Sequence, residues 1–183
     1  MRNGLWKKYK ETIVPELMKE FGYKSYLSVP KCVKVVLNIG LGKATEDHGL
    51  IEKAAQNLSL VTGQKAVPTY ARKAIAGFKL IKGAPIGVKV TLRKAKMYDF
   101  LEKLFRIVLP RIRDFKGLSR SSFDQDGNFT IGLAEQTIFP EVETSITDKI
   151  KGLEITIVTN AKTIAESGRL LELLGMPFVK GGT

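Results

Sequence analysis

Leu5, Trp6, Tyr9, Ile13, Leu17 and Phe21 recur at helical spacing, with Lys7, Lys8, Lys10 and Lys19 elsewhere on the surface. Positions three and four apart share one side of a helix, so the segment predicts an amphipathic helix with a core-facing stripe. Pro15 should kink or split it, because proline lacks an amide donor and crowds the preceding turn. The period then falls to two. Val33, Val35, Leu37 and Ile39 alternate with Lys34, Val36 and Asn38, which predicts a strand burying the first set. Gly40-Leu41-Gly42 ends that strand. Thr45 or Asp47 is placed to cap a helix reaching about Thr62, with Ile51, Ala54, Ala55, Leu58 and Val61 inward and Gly63 as its stop.

A short extended piece, Lys65 to Tyr70, precedes a basic, glycine-punctuated run from about 71 to 87. That run is longer than most connections in compact domains and predicts an exposed, flexible arm. Ile86, Val88, Val90 and Leu92 alternate with Lys89, Thr91 and Arg93 in a second strand of the first one's design. A helix follows from about Lys96 to Leu109, with Phe100, Leu101, Leu104, Phe105 and Val108 on one stripe and Pro110 closing it. Asp126-Gly127 signals a turn before a strand at Asn128 to Leu133, and Glu154 to Thr159 reads as another. Thr163 and Glu166 have capping-box spacing at the head of a last helix that ends at Gly175. Strands with one apolar and one polar face, mixed irregularly with helices, predict an α+β fold. The expected architecture is a largely antiparallel sheet of at least four strands, helices packed on one face and the polar face open. Residues 1–183 form one expected domain.

Charge changes the picture. The chain carries 30 Lys and Arg against 18 Asp and Glu, net +12. The excess is uneven: residues 1–120 hold 25 basic and 9 acidic side chains, and residues 121–183 hold 5 and 9. Between Glu52 and Asp99 stand ten basic residues and no acid. Such a stretch repels itself unless a polyanion neutralises it, which points to nucleic acid or an anionic membrane surface. The acidic remainder suits a basic partner.

The inventory excludes other classes. One cysteine, Cys32, forms no internal disulfide, and one histidine, His48, cannot complete a zinc site or a histidine triad. No run of 18 apolar residues or signal-peptide core is present, so a cytoplasmic or organelle-interior setting is expected. The loop Gly40 to Thr45 fails as a phosphate loop, having Leu37 and Ala44 where glycine and Ser or Thr are needed. Its glycines and Lys43 could hold one RNA phosphate. Asp124, Asp126 and Asn128 lack the glycine position of a calcium loop, and nothing gathers Glu141 and Glu143 with a base or metal. No cofactor, small-molecule substrate or catalytic step is expected.

The polar strand positions Lys34, Asn38, Lys89, Thr91 and Arg93, with Gln64 and Lys65 close by, carry no acid on either strand. Lysine and arginine take phosphates, while amides and hydroxyls reach sugar hydroxyls and base edges. Aromatic rings are missing, so structured RNA read by shape fits better than stacked single strands. Two rivals remain: a membrane-surface or general polyanion binder, and a phosphate-handling enzyme built on the Gly40 loop.

Several fragments then carry a resemblance over the whole chain. They are Lys34-Val-Val-Leu-Asn-Ile-Gly40, Thr62-Gly-Gln-Lys65, Ile75-Ala-Gly-Phe-Lys79, Pro85-Ile-Gly-Val-Lys-Val-Thr-Leu-Arg93, Pro110-Arg-Ile-Arg-Asp-Phe-Lys-Gly-Leu-Ser119, Glu135-Gln-Thr-Ile-Phe-Pro140 and Leu173-Leu-Gly-Met-Pro-Phe178. In these the chain resembles the bacterial or organellar form of the fifth large-subunit ribosomal protein family, which binds 5S ribosomal RNA. The resemblance implies a 5S rRNA contact through Lys34, Asn38, Gly40, Gln64, Lys65, Lys89, Thr91 and Arg93, with Asn38, Gln64 and Thr91 at the family's uncharged contact positions. It implies an arm, carrying Ile75, Gly77, Phe78, Lys79 and Lys82, that reaches peptidyl-site tRNA. It also implies a bridge to a basic protein of the small-subunit head through Arg111, Arg113, Glu135, Gln136, Glu141 and Glu143, and a place beside large-subunit rRNA. Leu80-Ile81 replaces the family's usual Leu-Arg, Gln125-Asp126 precedes the turn glycine, and Val179 stands where arginine is frequent.

Overall fold

The computed structural model describes residues 4–42, 49–78, 80–142 and 152–179. Among them, β1 (Cys32–Gly40), β2 (Val67–Tyr70), β3 (Pro85–Leu92), β4 (Phe129–Leu133) and β5 (Leu153–Thr159) form one sheet in the order β2-β3-β1-β5-β4. Cross-strand partners count up on one strand as they count down on the next, the mark of antiparallel pairing. Val67 faces Lys89 and Thr69 faces Gly87 in β2 and β3. Lys31 pairs with Asn160 where Asn38 reaches Glu154. Thr130 meets Thr156, and the Gly152 N–H donates to the Ala134 carbonyl. The expected α+β fold with an antiparallel sheet is therefore present.

The chain gathers into two compact units. The first comprises Met1–Val35, Arg93–Ile131 and Thr156–Thr183. It contains α1 (Gly4–Lys8), α2 (Val14–Phe21), α4 (Lys94–Lys103) and α5 (Ile164–Leu174), with α1 against α4 and α2 against α5. Most of the helical stripe is buried as its spacing predicts: Ile13, Leu17, Leu101, Leu104 and Val108 are at most 1% exposed, while Trp6 and Phe21 are half-buried. Burying each such side chain contributes about 1.5–3 kcal/mol. Polar ties lie over this core. The Lys8 ammonium donates to the Leu173 carbonyl at 2.8 Å. The Arg169 guanidinium reaches Glu16 at 2.9 Å and Glu20 at 2.8 Å, coupling α5 to α2. The Thr163 hydroxyl accepts the Glu166 N–H, and Gly175 closes α5 in the left-handed conformation, as the capping pattern implies.

Pro15 neither splits nor ends its helix. A π-helical turn, Tyr9–Ile13, joins α1 to α2, and the Val14 N–H reaches back five residues to the Tyr9 carbonyl. The widened turn seats the proline ring at the start of α2, where its missing N–H is no loss. The device recurs before Pro110. A π turn over Leu104–Val108 lets the Leu109 N–H reach the Leu104 carbonyl, and the chain runs on through a 3-10 turn to Arg111 instead of closing at the proline.

The second unit comprises Val36–Leu92 and Gly132–Ile155. Here α3 (Gly49–Thr62) packs on β3 and β2, burying Ile51, Ala54, Leu58 and Val61. Gly63 ends α3 with a positive φ of 62°. The Ser59 hydroxyl donates to the Ala55 carbonyl and accepts the Ala66 N–H at 2.9 Å, binding the helix end to the approach of β2. In β3, Val88, Val90 and Leu92 are buried and Lys89 exposed, as alternation requires. Gly87 is buried for another reason: a Cβ there would collide with the Ile39 carbonyl oxygen of β1.

Strand β1 departs from its expected alternation at the start. Val35, Leu37 and Ile39 are buried, but Val33 is 42% exposed and Cys32 lies inward in its place. Val33 and Lys34 are successive non-buried positions, so the period-two pattern is out of step at the start of the strand. Anchoring precedes this shift: the Lys31 N–H donates to Asn160 Oδ1 at 2.7 Å and the Asn160 N–H to the Lys31 carbonyl at 3.2 Å. Burial also pushes the Cys32 thiol up to about 12.

Two expectations follow. Gly87→Ala should lose about 1–3 kcal/mol, since the backbone carbonyl it meets cannot swing aside, whereas Gly132→Ala, with open space around it, should stay within about 0.5 kcal/mol of wild type. Thermal melts of the two variants check this pair. Cys32 should react with an aromatic disulfide reagent at pH 8 only at the rate of unfolding, so prompt labelling of the native protein contradicts the burial.

Candidate nucleic-acid interface

Alternation turns Val36 and Asn38 of β1 and Lys89 and Thr91 of β3 away from the buried residues on each strand. The pairing of Val67 with Lys89 and Thr69 with Gly87 places β2 residues beside them. Neither β1 nor β3 puts an aromatic ring on this side. Lys65 and Lys89 are exposed; Asn38, Gln64 and Thr91 are half-buried. Gly40, at the end of β1, is exposed and has open space where a side chain would stand. The second unit thus gathers Asn38, Gly40, Gln64, Lys65, Lys89 and Thr91. Lys34 and Arg93 belong to the first unit, Lys34 half-buried near the start of β1 and Arg93 exposed as the residue before α4.

The two carboxamides are anchored. Asn38 Nδ2 donates to Glu154 Oε2 at 3.3 Å, and Gln64 Nε2 donates to the Thr91 backbone carbonyl at 3.0 Å. Strands β1 and β3 carry no acid, as their sequence shows, but a third strand supplies one. Glu154 reaches the face from β5, between buried Leu153 and Ile155. Its outward position was readable from the alternation, but its nearness to Asn38 depends on a pairing across 116 residues.

The expected arm is a braced hairpin connecting β2 to β3, not a plain loop. The Ala71 N–H donates to the Ala84 carbonyl and the Gly83 N–H to the Ala71 carbonyl, both at 2.9 Å. Farther out, Ile75 and Leu80 exchange backbone bonds at 2.9 and 3.1 Å around a 3-10 turn, Ala76–Phe78. Pro85 to Gly87 belong to β3, so the arm ends earlier than its composition suggested. Its tip is apolar as well as basic: Phe78 is 78% and Ile81 74% exposed, Ile75 and Gly77 are exposed, and Arg72, Lys73 and Lys82 flank them. Lys79 lies outside the described residues.

Of the expected bridge residues, Arg111 and Arg113 are exposed in the first unit, and Glu135 and Glu141 in the second. Gln136 is 3% exposed and its Nε2 donates to the Gly152 carbonyl, so it shapes its loop from within and is not displayed. Glu143 lies outside the described residues, as do Lys43, Ala44, Thr45, Asp47 and His48, which carried the helix-cap and phosphate readings.

The Asp124 carboxylate is spent on a turn. It accepts the N–H groups of Asp126 and Asn128 at 3.0 and 2.7 Å and the Asn128 side chain at 2.8 Å, and these bonds hold its carboxyl below the usual range. Gly127 completes the turn with a φ of 75°. Among the described residues no cluster of His, Cys, Asp and Glu could hold a metal, and no helix is long and apolar enough to cross a membrane.

Comparison with known proteins agrees in extent with this whole-chain pattern. The family described as ribosomal protein L5 matches residues 25–80, and that described as ribosomal L5P family C-terminus matches residues 85–178. The chain is 55% identical over 176 residues to the large ribosomal subunit protein uL5 of Caldanaerobacter subterraneus subsp. tengcongensis, covering 96% of this chain and 98% of that one. It is 55% identical over 173 residues to the same protein of Thermotoga maritima, covering 94% of each, and 53% identical over 177 residues to that of Thermus thermophilus, covering 97% of each. Matched from residue 25 to 178 by both halves of the family and nearly end to end by these relatives, the chain belongs to the uL5 (L5P) ribosomal protein family.

Proposed function

We propose that this protein is a structural, non-catalytic constituent of the large ribosomal subunit whose polar sheet face binds 5S ribosomal RNA. The observation that carries the reading is the composition of that face: Asn38, Gln64 and Thr91 stand half-buried beside exposed Lys65 and Lys89, with no aromatic ring on β1 or β3. Lysines neutralise phosphate charge; half-buried amides and hydroxyls, with fewer rotamers to lose, set the register against a folded RNA surface. The relatives' names place those proteins in the large subunit, and the +12 charge suits a polyanionic setting. Lys34 and Arg93, in the first unit, are proposed as further RNA-contacting basic residues, and large-subunit rRNA is a second nucleic-acid neighbour.

Two further contacts belong to this proposal. The braced arm presents Ile75, Phe78 and Lys82 to peptidyl-site tRNA, its apolar tip meeting exposed sugar and base surface while its bases take phosphates. Arg111 and Arg113, and separately Glu135 and Glu141, engage the small-subunit head, the carboxylates receiving a basic protein. The site of action is a ribosome, cytoplasmic or organellar.

Titrations of full-length protein with a 5S transcript test the face. Asn38→Ala and Thr91→Ala should each weaken binding by about 0.5–1.5 kcal/mol, and Lys89→Ala should flatten the log-log salt slope by about 0.7–0.9. Undiminished affinity in both polar variants sinks the assignment of this face. The arm is tested separately. A Phe78→Ala, Lys82→Ala double variant should leave 5S affinity unchanged and reduce peptidyl-site tRNA occupancy of reconstituted ribosomes; equal occupancy removes the arm from tRNA.

A further inference from the structure

The backbone of the basic loop that follows Pro110 is tied down at one place. Arg111, Arg113, Asp114 and Lys116 are exposed, and Asp114 turns the chain with a positive φ of 55°. From Phe115 to Leu118 the backbone bonds found among the described residues are two, both to the segment Pro177 to Val179 that follows α5. The Leu118 N–H donates to the Pro177 carbonyl at 2.9 Å and the Val179 N–H to the Leu118 carbonyl at 3.1 Å, a single parallel bridge within the first unit. Gly117 permits the approach. Its φ is 107°, and a Cβ there would lie 2.7 Å from the Val179 nitrogen and 2.9 Å from the Phe178 carbonyl carbon.

Two backbone bonds near the surface open readily by themselves, and here side chains hold them shut. The Phe178 ring stacks on Phe123 at 6.0 Å and meets fully buried Phe129 edge-on at 5.6 Å, so the segment is moored to the core. The Arg120 guanidinium lies over the same ring, 5.0 Å from its centre, and reaches Glu172 of α5 at 3.6 Å. Gly168 makes room for it, since a Cβ there would stand 3.2 Å from an Arg120 nitrogen. We infer that residues 177–179 are a clasp that sets the conformation of the loop from Arg111 to Ser119, with Phe178 as its positioning residue. Clasped, the loop offers Arg111 and Arg113 in one arrangement; released, it keeps no backbone tie between Phe115 and Leu118 among the described residues, and a partner must order it at the cost of its own affinity. What the loop engages rests on the proposed contact of these arginines with the small-subunit head; the clasp itself does not.

Amide hydrogen exchange on the full-length protein tests the clasp. In Phe178→Ala the Leu118 and Val179 amides should exchange faster together, by roughly tenfold or more beyond any change at Leu101 of α4 and Leu171 of α5. Val179→Pro deletes one of the two donors at an exposed position and leaves the rings in place, so it should free Leu118 with Leu101 and Leu171 unchanged, whereas Val179→Ala, which keeps the donor, should leave Leu118 protected. A Leu118 amide that stays protected in both Phe178→Ala and Val179→Pro, or that accelerates only as much as the core amides do in both, overturns the clasp. Joining of reconstituted large subunits to small subunits then reads what the clasp serves. The double variant Arg111→Ala, Arg113→Ala should weaken joining severalfold, Phe178→Ala should weaken it with 5S affinity unchanged, and the triple variant should be no weaker than the double, because a clasp that acts through these side chains has nothing left to position. Additive losses overturn the positioning role of Phe178. If the double arginine variant joins as wild type does, the small-subunit contact falls, and the exchange rates alone decide the clasp.

Discussion

The approach of β3 to β1 at Gly87 is the constraint on which the polar face depends. The Ile39 carbonyl occupies the space a side chain would need, so the strands can lie together only where one of them has no Cβ. With that approach made, Leu37 and Ile39 on one strand and Val88 and Val90 on the other are sealed inside, and α3 closes over β3 and β2. Every residue between them in the alternation is then forced outward. The candidate surface is the remainder of core formation: Asn38, Lys89 and Thr91 face away because their neighbours cannot.

On the proposed reading, charge and geometry have separate duties on this surface. Exposed lysines act at a distance, draw a polyanion in and are indifferent to its sequence. The amides act only in contact, and their half-burial and internal bonds reduce the orientations they can offer. Such preorganisation lowers the entropy lost on binding, so a modest bond to an anchored amide discriminates better than one to a free side chain. A carboxylate amid a basic field looks misplaced until its bond to Asn38 is taken into account.

Local patterns were legible in the chain wherever the cause was local. Period-two alternation located β1 and β3, a run of branched residues located β5, helical spacing located the buried stripes, and the Thr163 to Glu166 spacing located a real cap. What escaped reading depended on partners far away in sequence. Val33 is outward because the start of β1 is fixed by Asn160, and Gln136 is buried because Gly152 receives its amide. Glu154 lies on the candidate site because β5 pairs with β1, which neither strand announces. The arm's composition suggested a loose loop, since the exchange between Ile75 and Leu80 uses only backbone groups and leaves no trace in side-chain pattern.

The two π turns bear on how such helices are read. Each holds one residue more than an α turn, and across its C-terminal end lie adjacent buried pairs, Ile13 with Val14 and Val108 with Leu109. A stripe traced at a constant 3.6 residues per turn slips out of phase there by one position, yet the buried face stays continuous in space. In both helices the slip comes immediately ahead of a proline. The prolines are thus phase markers, recording in the primary structure where the helix resets its own count.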